Sequence, residues 1–200
     1  MSKNKLTQAV NWNRLEDPLD RATWDKLISQ FWVSSRVPVS NDMGDWSKLS
    51  APEKDLFNKV FGGLTLLDTL QGEVGNNEIA KDSRTQHELA VFRNIAFMEC
   101  IHAESYSTIF STFCTMKDID GVFEWTATNP YIVKKNEIIQ DIYENGTPLQ
   151  KKVASVFLES FLFYSGFFTP LYYAGLGKMK NTAEIIKLIL RDENVHGALV

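Results

Sequence analysis

Four carboxylates lie inside apolar helical runs, where a protein interior rarely tolerates a charge. Each is flanked by aliphatic or aromatic residues; the four are Asp68, Glu99, Glu159 and Glu193. Burying a carboxylate without a partner is costly, and these runs hold too few basic residues to neutralise all of them. A pair of divalent cations would supply the missing positive charge. The pattern therefore restricts the chain to a fold in which several helices surround a buried metal site.

Two of the three histidines strengthen this prediction. His102 lies three residues after Glu99, and His196 lies three residues after Glu193. Three residues turn a helix by about 300°, so each Glu and His share one face. Two Glu-x-x-His motifs, with an acidic residue on each of two further helices, are typical of ferritin-like di-iron and di-manganese bundles. Carboxylate and imidazole ligands suit either iron or manganese.

Capping and turn signals predict helices and almost no strands. The predicted helices cover 22–32 after a cap at Asp20, 51 to beyond 71, 83–116, 130–145, 147–168 and 181–200. A kink is expected at Pro170. We therefore expect one all-α domain over residues 1–200, a ferritin-like helical bundle with a dinuclear metal carboxylate site.

Composition and charge disfavour several other classes. There are 25 acidic and 21 basic side chains, for a net charge of −4, which argues against a basic face for nucleic acid. Residues 1–11 are polar and predict no secretory signal. Cys100 and Cys114 fall in one predicted helix, about 21 Å apart and beyond disulfide reach. These features favour a reduced, cytoplasmic protein.

One segment, 153–176, is long and apolar enough to span a membrane. It carries the charged Glu159 near its start and is interrupted by Gly166, Pro170 and Gly175. Because a carboxylate within a span is costly, we predict no membrane insertion.

Tyr106 lies four residues after His102 and therefore projects from the same helix face, one turn beyond the ligands. A tyrosine at this spacing usually only packs, but beside an oxygen-activating metal pair it becomes a candidate for one-electron oxidation. Phe163, Phe167 and Ile189 occupy positions that would shield it from water. The third histidine, His87, is expected on the surface.

The motifs also resemble a known family. They are Phe31-Trp32 with 38–42, Leu66 to Gln71 around Asp68, Asn94 to Tyr106, Glu159 to Phe167, and Arg191-Asp192-Glu193 with His196. Over essentially all 200 residues the chain resembles the small, radical-generating subunit of class I ribonucleotide reductase, most closely class Ib.

The resemblance implies a role for each candidate residue. One metal would be held by Asp68, Glu99 and His102, and the other by Glu159, Glu193 and His196. Tyr106 matches the tyrosine that forms a stable radical. Trp32, His102 and Asp192 match the inner end of the radical-transfer route, where Asp192 would orient the non-metal nitrogen of His102 and accept the indole N–H of Trp32.

The same resemblance implies cofactors and partners. It implies two Mn or two Fe ions, a homodimer, a large catalytic subunit that reduces ribonucleotides, and a flavodoxin-like activating protein when manganese is used. Subgroups that replace the radical tyrosine or the metal-binding glutamates do not fit, because this chain keeps both.

Two further expectations concern alternatives and length. Family members extend well beyond the position of Val200, so the sequence is expected to be an N-terminal portion or one half of a split protein. The alternative function is a ferritin-like bundle that stores metal or detoxifies oxygen. Such a bundle needs the metal ligands but neither Trp32 nor Asp192.

Overall fold

The structure, a computed structural model, describes residues 8–200, and all regular structure in that range is helical. The long elements are α1 (Pro18–Ser29), α3 (Ala51–Leu70), α5 (Gln86–Phe113), α6 (Met116–Thr128), α7 (Pro130–Asn145), α8 (Pro148–Phe157), α9 (Phe163–Gly175) and α10 (Lys180–Leu199). Two short helices, α2 (Met43–Trp46) and α4 (Asn76–Ala80), complete the set. The prediction of an all-α chain is confirmed. Residues 1–7 of the predicted domain, which are also the start of the polar N-terminal stretch, lie outside the described residues.

Local capping explains where several helices begin. Ser50 and Glu53 form the predicted capping box of α3, and Thr147 and Gln150 form that of α8. The Asn129 side chain caps α7, whose first residue is proline. These caps satisfy backbone N–H groups that have no partner within the helix.

The predicted start of α1 was wrong. Asp17 rather than Asp20 is the N-cap, because Pro18 is well suited to the first helical position. Asp20 is buried and accepts a hydrogen bond from Thr85, which is itself the N-cap of α5 in place of the predicted Ser83. Helix α1 also ends at Ser29, so Trp32 lies in the segment that follows it.

One helix was not predicted as a separate element. Helix α5 ends at Phe113, and the extended backbone of Cys114 separates it from α6. A capping box of Thr115 with Asp118 begins α6. The apolar run that appeared to be one helix to residue 116 therefore changes direction at Cys114.

The last helix takes its cap from a distant part of the chain. Met179, the residue before α10, has a left-handed backbone (φ 52°) and its side chain makes no capping bond within residues 8–200. The Asp42 carboxylate instead accepts hydrogen bonds from the backbone N–H groups of Asn181 and Thr182, at 3.2 and 2.7 Å. The predicted local cap at Asn181 was therefore wrong.

Two wide turns interrupt the helices that border the core. Gln71–Gly75 is a π-helical turn that joins α3 to α4, and Leu158–Leu162 is one that joins α8 to α9. Such turns contain an extra residue and occur frequently at functional sites. Helix α9 continues past Pro170 to Gly175, beyond its predicted end at Phe168.

The continuous segment Pro148–Gly175 spans 28 residues and is long and apolar enough to cross a membrane. A third of its most apolar window is buried in the protein, and that buried part includes Glu159. Its opposite face exposes Phe157, Phe161 and Phe168.

His87 is buried, contrary to the prediction. Its ring packs edge-on against Trp12 at 4.7 Å, and its Nε2 lies 3.2 Å from the carbonyl oxygen of Asn11. The chain preceding α1 covers it, a contact between distant residues that local sequence does not reveal.

Candidate metal centre

Six ligand-type side chains converge from four directions in the core. Asp68 comes from α3, Glu99 and His102 from α5, Glu159 from the second π-helical turn, and Glu193 and His196 from α10; all six are at most 1% exposed. They form two overlapping groups of four, in each of which one donor atom per residue lies within 4.8 Å of the others. All six residues predicted as ligands are therefore brought together.

Two glutamates lie between the two histidines. Glu99 places Oε2 3.4 Å from Nδ1 of His102 and Oε1 3.0 Å from Nδ1 of His196. Glu193 does the same, with Oε1 3.0 Å from Nδ1 of His102 and Oε2 3.2 Å from Nδ1 of His196. Each of these carboxylates therefore directs one oxygen to each half of the cluster.

The other two carboxylates are terminal. Asp68 contacts only the His102 side, with Oδ1 3.3 Å from Nδ1, and Glu159 contacts only the His196 side, with Oε2 3.6 Å from Nδ1. Several cluster atoms are buried without a hydrogen-bond partner among residues 8–200, including both oxygens of Asp68, both of Glu99 and Oε2 of Glu159. Lone pairs that are buried, convergent and unsatisfied suit a pair of hard divalent cations.

The electrostatics of the cluster support the same conclusion. Burial raises the pKa of Asp68 well above its usual value, and burial with the charges of Glu193 and Glu99 does so for Glu159. Burial would also raise the pKa of Glu193, but its close contacts with Glu159, His102 and His196 bring it far below its ordinary value. The carboxylates thus compete for too little positive charge.

The pKa values of the two histidines are also raised, although burial acts on them in the opposite direction. Burial alone would lower the pKa of His102, yet the carboxylates around it, Asp192 first, raise it well above its usual value. His196 behaves in the same way, with Glu159 as its strongest partner. Both rings present Nδ1 to the cluster carboxylates, whereas Asp192 contacts His102 from the other side, at Nε2.

A hydrogen-bonded link leads out of the cluster through Asp192. Its Oδ2 lies 3.2 Å from Nε2 of His102 and accepts the indole N–H of Trp32 at 2.7 Å. The indole and imidazole rings are nearly parallel, with centroids 6.0 Å apart. The contacts that the sequence predicted between these three residues are all present.

Tyr106 is fully buried on the same helix as Glu99 and His102. Burial, followed by the charge of Asp68, raises its pKa well above the usual value. Its hydroxyl has no hydrogen-bond partner in the described part of the chain, and its ring stacks on Phe61 at 5.8 Å. The predicted neighbours Phe163, Phe167 and Ile189 are also buried.

Gln71 and its polar neighbours contact Glu159 on the side away from His196, and the sequence analysis gave them no role. Gln71 donates hydrogen bonds to Glu159 and to Ser155, and it accepts one from the hydroxyl of Tyr143. Gln71 lies three residues after Asp68, a spacing that was available as a signal. Tyr143 lies on α7, far along the chain, and carries no local signal of this contact.

Comparison with known proteins shows which family shares this sequence. The family of the ribonucleotide reductase small chain matches residues 9–200. The chain belongs to the ribonucleotide reductase small chain family. The resemblance inferred from the motifs is confirmed, and family membership does not favour the alternative of a metal-storage bundle.

Several relatives are similar to this chain over nearly all of its length. A ribonucleoside-diphosphate reductase subunit beta (nrdF2) of Mycobacterium tuberculosis is 52% identical over 94% of this chain and 58% of its own length. Subunit beta of ribonucleoside-diphosphate reductase 2 of Escherichia coli is 51% identical over 94% of this chain and 59% of its own length. The chain thus spans less than two thirds of the length of these relatives.

The fold is shared with a solved structure of the same family. The dimanganese(II)-NrdF of Streptococcus sanguinis superposes with a TM-score of 0.94 and is 64% identical, over 96% of this chain and 68% of that one. A Clostridium botulinum R2 subunit gives a TM-score of 0.88 at 29% identity, over 96% of this chain and 62% of that one. The predicted ferritin-like bundle is confirmed, and the similarity to NrdF is consistent with class Ib.

Proposed function

We propose that this chain generates and holds the radical in the small subunit of a ribonucleoside-diphosphate reductase. The observation that carries the proposal is a buried pair of overlapping ligand groups with Tyr106 one turn away on the same helix. Membership of the small chain family and the similarity to a dimanganese relative support it.

Each cluster residue has a proposed place. Asp68 and His102 would hold one Mn or Fe ion, Glu159 and His196 the other, and Glu99 and Glu193 would contribute to both through their two oxygens. This differs from the one-metal assignment implied by the resemblance, because each of these two glutamates contacts both histidines. When bound, such a pair supplies an oxidant, formed with an oxygen-derived reactant, that is strong enough to oxidise a tyrosine.

The surroundings of Tyr106 would preserve the product of that oxidation. Full burial and the stacked ring of Phe61 exclude water and small reductants from the phenol. As Tyr106 loses an electron its hydroxyl proton becomes strongly acidic, and among the carboxylates Asp68 has the largest charge effect on the pKa of that hydroxyl.

Trp32 and Asp192 would connect the radical to a partner. Asp192 fixes the orientation of both the His102 imidazole and the Trp32 indole through a single oxygen. Such a bond holds the proton of the indole N–H while an electron moves, which keeps the charge balanced along the route. The corresponding partner is a large catalytic subunit that reduces ribonucleotides to deoxyribonucleotides.

The remaining features of the proposal follow from the family. Small subunits of this family are soluble and usually dimeric, and we propose a cytoplasmic homodimer, with a flavodoxin-like activating protein when manganese is bound. The domain formed by residues 8–200 would be one ferritin-like unit.

Metal analysis combined with electron paramagnetic resonance tests the proposal. Protein reconstituted aerobically with Fe(II) should contain two metal ions per chain and show a tyrosyl signal. Two metal ions without a tyrosyl signal would instead indicate a storage or detoxifying bundle.

A further inference from the structure

Gln71 occupies an unusual position for a neutral amide. It is fully buried and is the first residue of the π-helical turn Gln71–Gly75, directly after the helix that carries Asp68. Its Nε2 donates to Oε1 of Glu159 at 2.5 Å and to Oγ of Ser155 at 2.8 Å, while its Oε1 accepts from the Tyr143 hydroxyl at 2.5 Å. All polar atoms of the amide are therefore engaged.

The Gln71 amide lies between a carboxylate, which only accepts hydrogen bonds when ionised, and the hydroxyl of Tyr143. With the hydroxyl of Tyr143 donating to Oε1, both N–H groups of Gln71 face Ser155 and Glu159. A rotation of the amide by 180° would bring its carbonyl oxygen against the Glu159 carboxylate, which is repulsive when that group is ionised. The Glu159 carboxylate therefore favours the orientation in which Gln71 donates to it, and the Tyr143 hydroxyl completes that arrangement by donating to the amide oxygen.

This donation divides the two oxygens of Glu159 between different tasks. Oε1 is held on the Gln71 side, whereas Oε2 lies 3.6 Å from Nδ1 of His196 and has no hydrogen-bond partner among residues 8–200. Glu99 and Glu193 behave differently, since each directs both oxygens toward the histidines. Only Glu159 has one oxygen held back by an amide in this way.

The backbone leaves room for this arrangement at one glycine. A Cβ added to Gly75 would lie 2.5 Å from Oε1 of Gln71 and 2.8 Å from the ring of Tyr143. Any larger residue at position 75 would therefore push apart the amide and the phenol. The wide turn and its last glycine create the space in which the two side chains meet.

From these contacts we propose that Gln71, supported by the hydroxyl of Tyr143, is a positioning residue that limits Glu159 to binding its metal through one oxygen and thereby sets the affinity of the His196 side. The inference rests on the proposed metal site and deepens it. Groups that hold a ligand in place commonly change metal affinity by about 10- to 100-fold when they are removed.

The test is a Mn(II) titration of the full-length protein. Calorimetry and the Mn(II) paramagnetic resonance spectrum measure the binding of each ion. Gln71→Leu keeps a similar volume but removes every hydrogen bond of the amide. Its first Mn(II) should bind as in the wild type, while the second should bind about 10- to 100-fold more weakly. Intermediate loading should then show the six-line signal of isolated Mn(II) in place of the coupled-pair signal.

Tyr143→Phe tests the same idea without altering Gln71, and should weaken the second ion in the same direction but by less. The matched control is Tyr173→Phe, which removes a hydroxyl bonded to Glu53 at a distance from the cluster and should leave both affinities unchanged. Circular dichroism identifies a variant that fails to fold, and Tyr143→Phe then decides the question.

Wild-type affinities and spectra in both Gln71→Leu and Tyr143→Phe would overturn the positioning role while leaving the metal site intact. Equal weakening of both ions in these variants would also overturn it, since that result indicates a general loss of packing. A wild-type protein that binds no Mn(II) pair would overturn the proposed function, and the positioning role with it.

Discussion

Two tyrosines are buried on either side of the cluster, and they differ in one bond. Tyr106 and Tyr143 are both fully inaccessible to solvent, and burial raises the pKa of each well above its usual value. The hydroxyl of Tyr143 donates to Gln71, whereas that of Tyr106 makes no hydrogen bond within residues 8–200. The same side chain thus serves two purposes in one core.

The difference indicates what each hydroxyl can do with its proton. Oxidation of a phenol releases a strongly acidic proton, which needs a basic acceptor nearby. Tyr143 faces an amide oxygen, a very weak base, and the carboxylate beyond it is already occupied by the same amide. Of the carboxylates, Asp68 has the largest charge effect on the pKa of Tyr106. A hydroxyl fixed by an amide suits a structural role, and an unbonded one under the influence of carboxylates suits a redox role.

The largest expected effect separates the two tyrosines by their radical signal. Tyr106→Phe should bind metal normally and lose the tyrosyl signal completely after aerobic reconstitution, because Phe removes only the hydroxyl and conserves the packing. Tyr143→Phe should retain a tyrosyl signal. Electron paramagnetic resonance of both variants, at equal metal content, makes the measurement.

A signal that survives in Tyr106→Phe would break the comparison and make Tyr143 the next tyrosine to test. Tyr164, five residues after Glu159, is a second candidate by sequence spacing alone. The structure argues against it, since Tyr164 is 39% exposed and its hydroxyl is bonded to Asn194.

The second effect concerns the hydrogen-bonded link from His102 through Asp192 to Trp32. Trp32→Phe removes the N–H that bonds to Asp192 and leaves a ring that is harder to oxidise. Metal content and tyrosyl signal should remain, while nucleotide reduction by the full-length protein with its large subunit should fall to background. Trp46→Phe, a substitution in the core away from Asp192, should retain turnover. Near-normal turnover in Trp32→Phe would leave that indole as packing alone.

Metal removal tests whether the cluster oxygens that lack hydrogen-bond partners, such as those of Asp68 and Glu99, are metal ligands. Mn(II) at about 1,000 times its dissociation constant should stabilise the native state by about 4 kcal/mol, which corresponds to a melting temperature roughly 10 °C higher than in chelator. Glu159→Ala should lose the second ion more than the first. Superimposable melting curves with and without metal would contradict a tight site.

The smallest effect compares the two hydroxyls as structural groups. In chelated protein, Tyr143→Phe leaves the Oε1 of Gln71 buried without its donor and should lower the free energy of unfolding by about 1–3 kcal/mol. Tyr106→Phe removes a hydroxyl that has no partner in the described residues and should change stability by much less. Urea denaturation measures both. A larger loss for Tyr106→Phe would show that its hydroxyl has a structural bond in solution.

The same pair of tyrosines illustrates what the sequence could and could not predict. Tyr106 was identifiable because it lies at helical spacing from Glu99 and His102, so local geometry suffices. Tyr143 meets Gln71 across 72 positions of sequence, and only tertiary packing brings them together. The ligands themselves were predictable because a buried carboxylate is anomalous wherever it occurs.

Helix boundaries follow the same division. The starts of α3 and α8 were predicted since both are capped by residues within three positions. The missed break before α6 arises at a single extended residue, Cys114, inside an apolar run that has helical periodicity. Sequence patterns describe a helix well and the turn that ends it poorly when no Gly or Pro marks the place.

The distant cap of α10 has a consequence for the order in which the protein is built. The helix that carries Glu193 and His196 depends for its first turn on Asp42, which was synthesised about 140 residues earlier. Until the two segments meet, the start of α10 has free N–H groups and is prone to fray. Glu193 and His196 are therefore held on an ordered helix only once α10 has packed against the segment that carries Asp42. Completion of the predicted ligand set thus depends on a contact between two segments that are far apart in the chain.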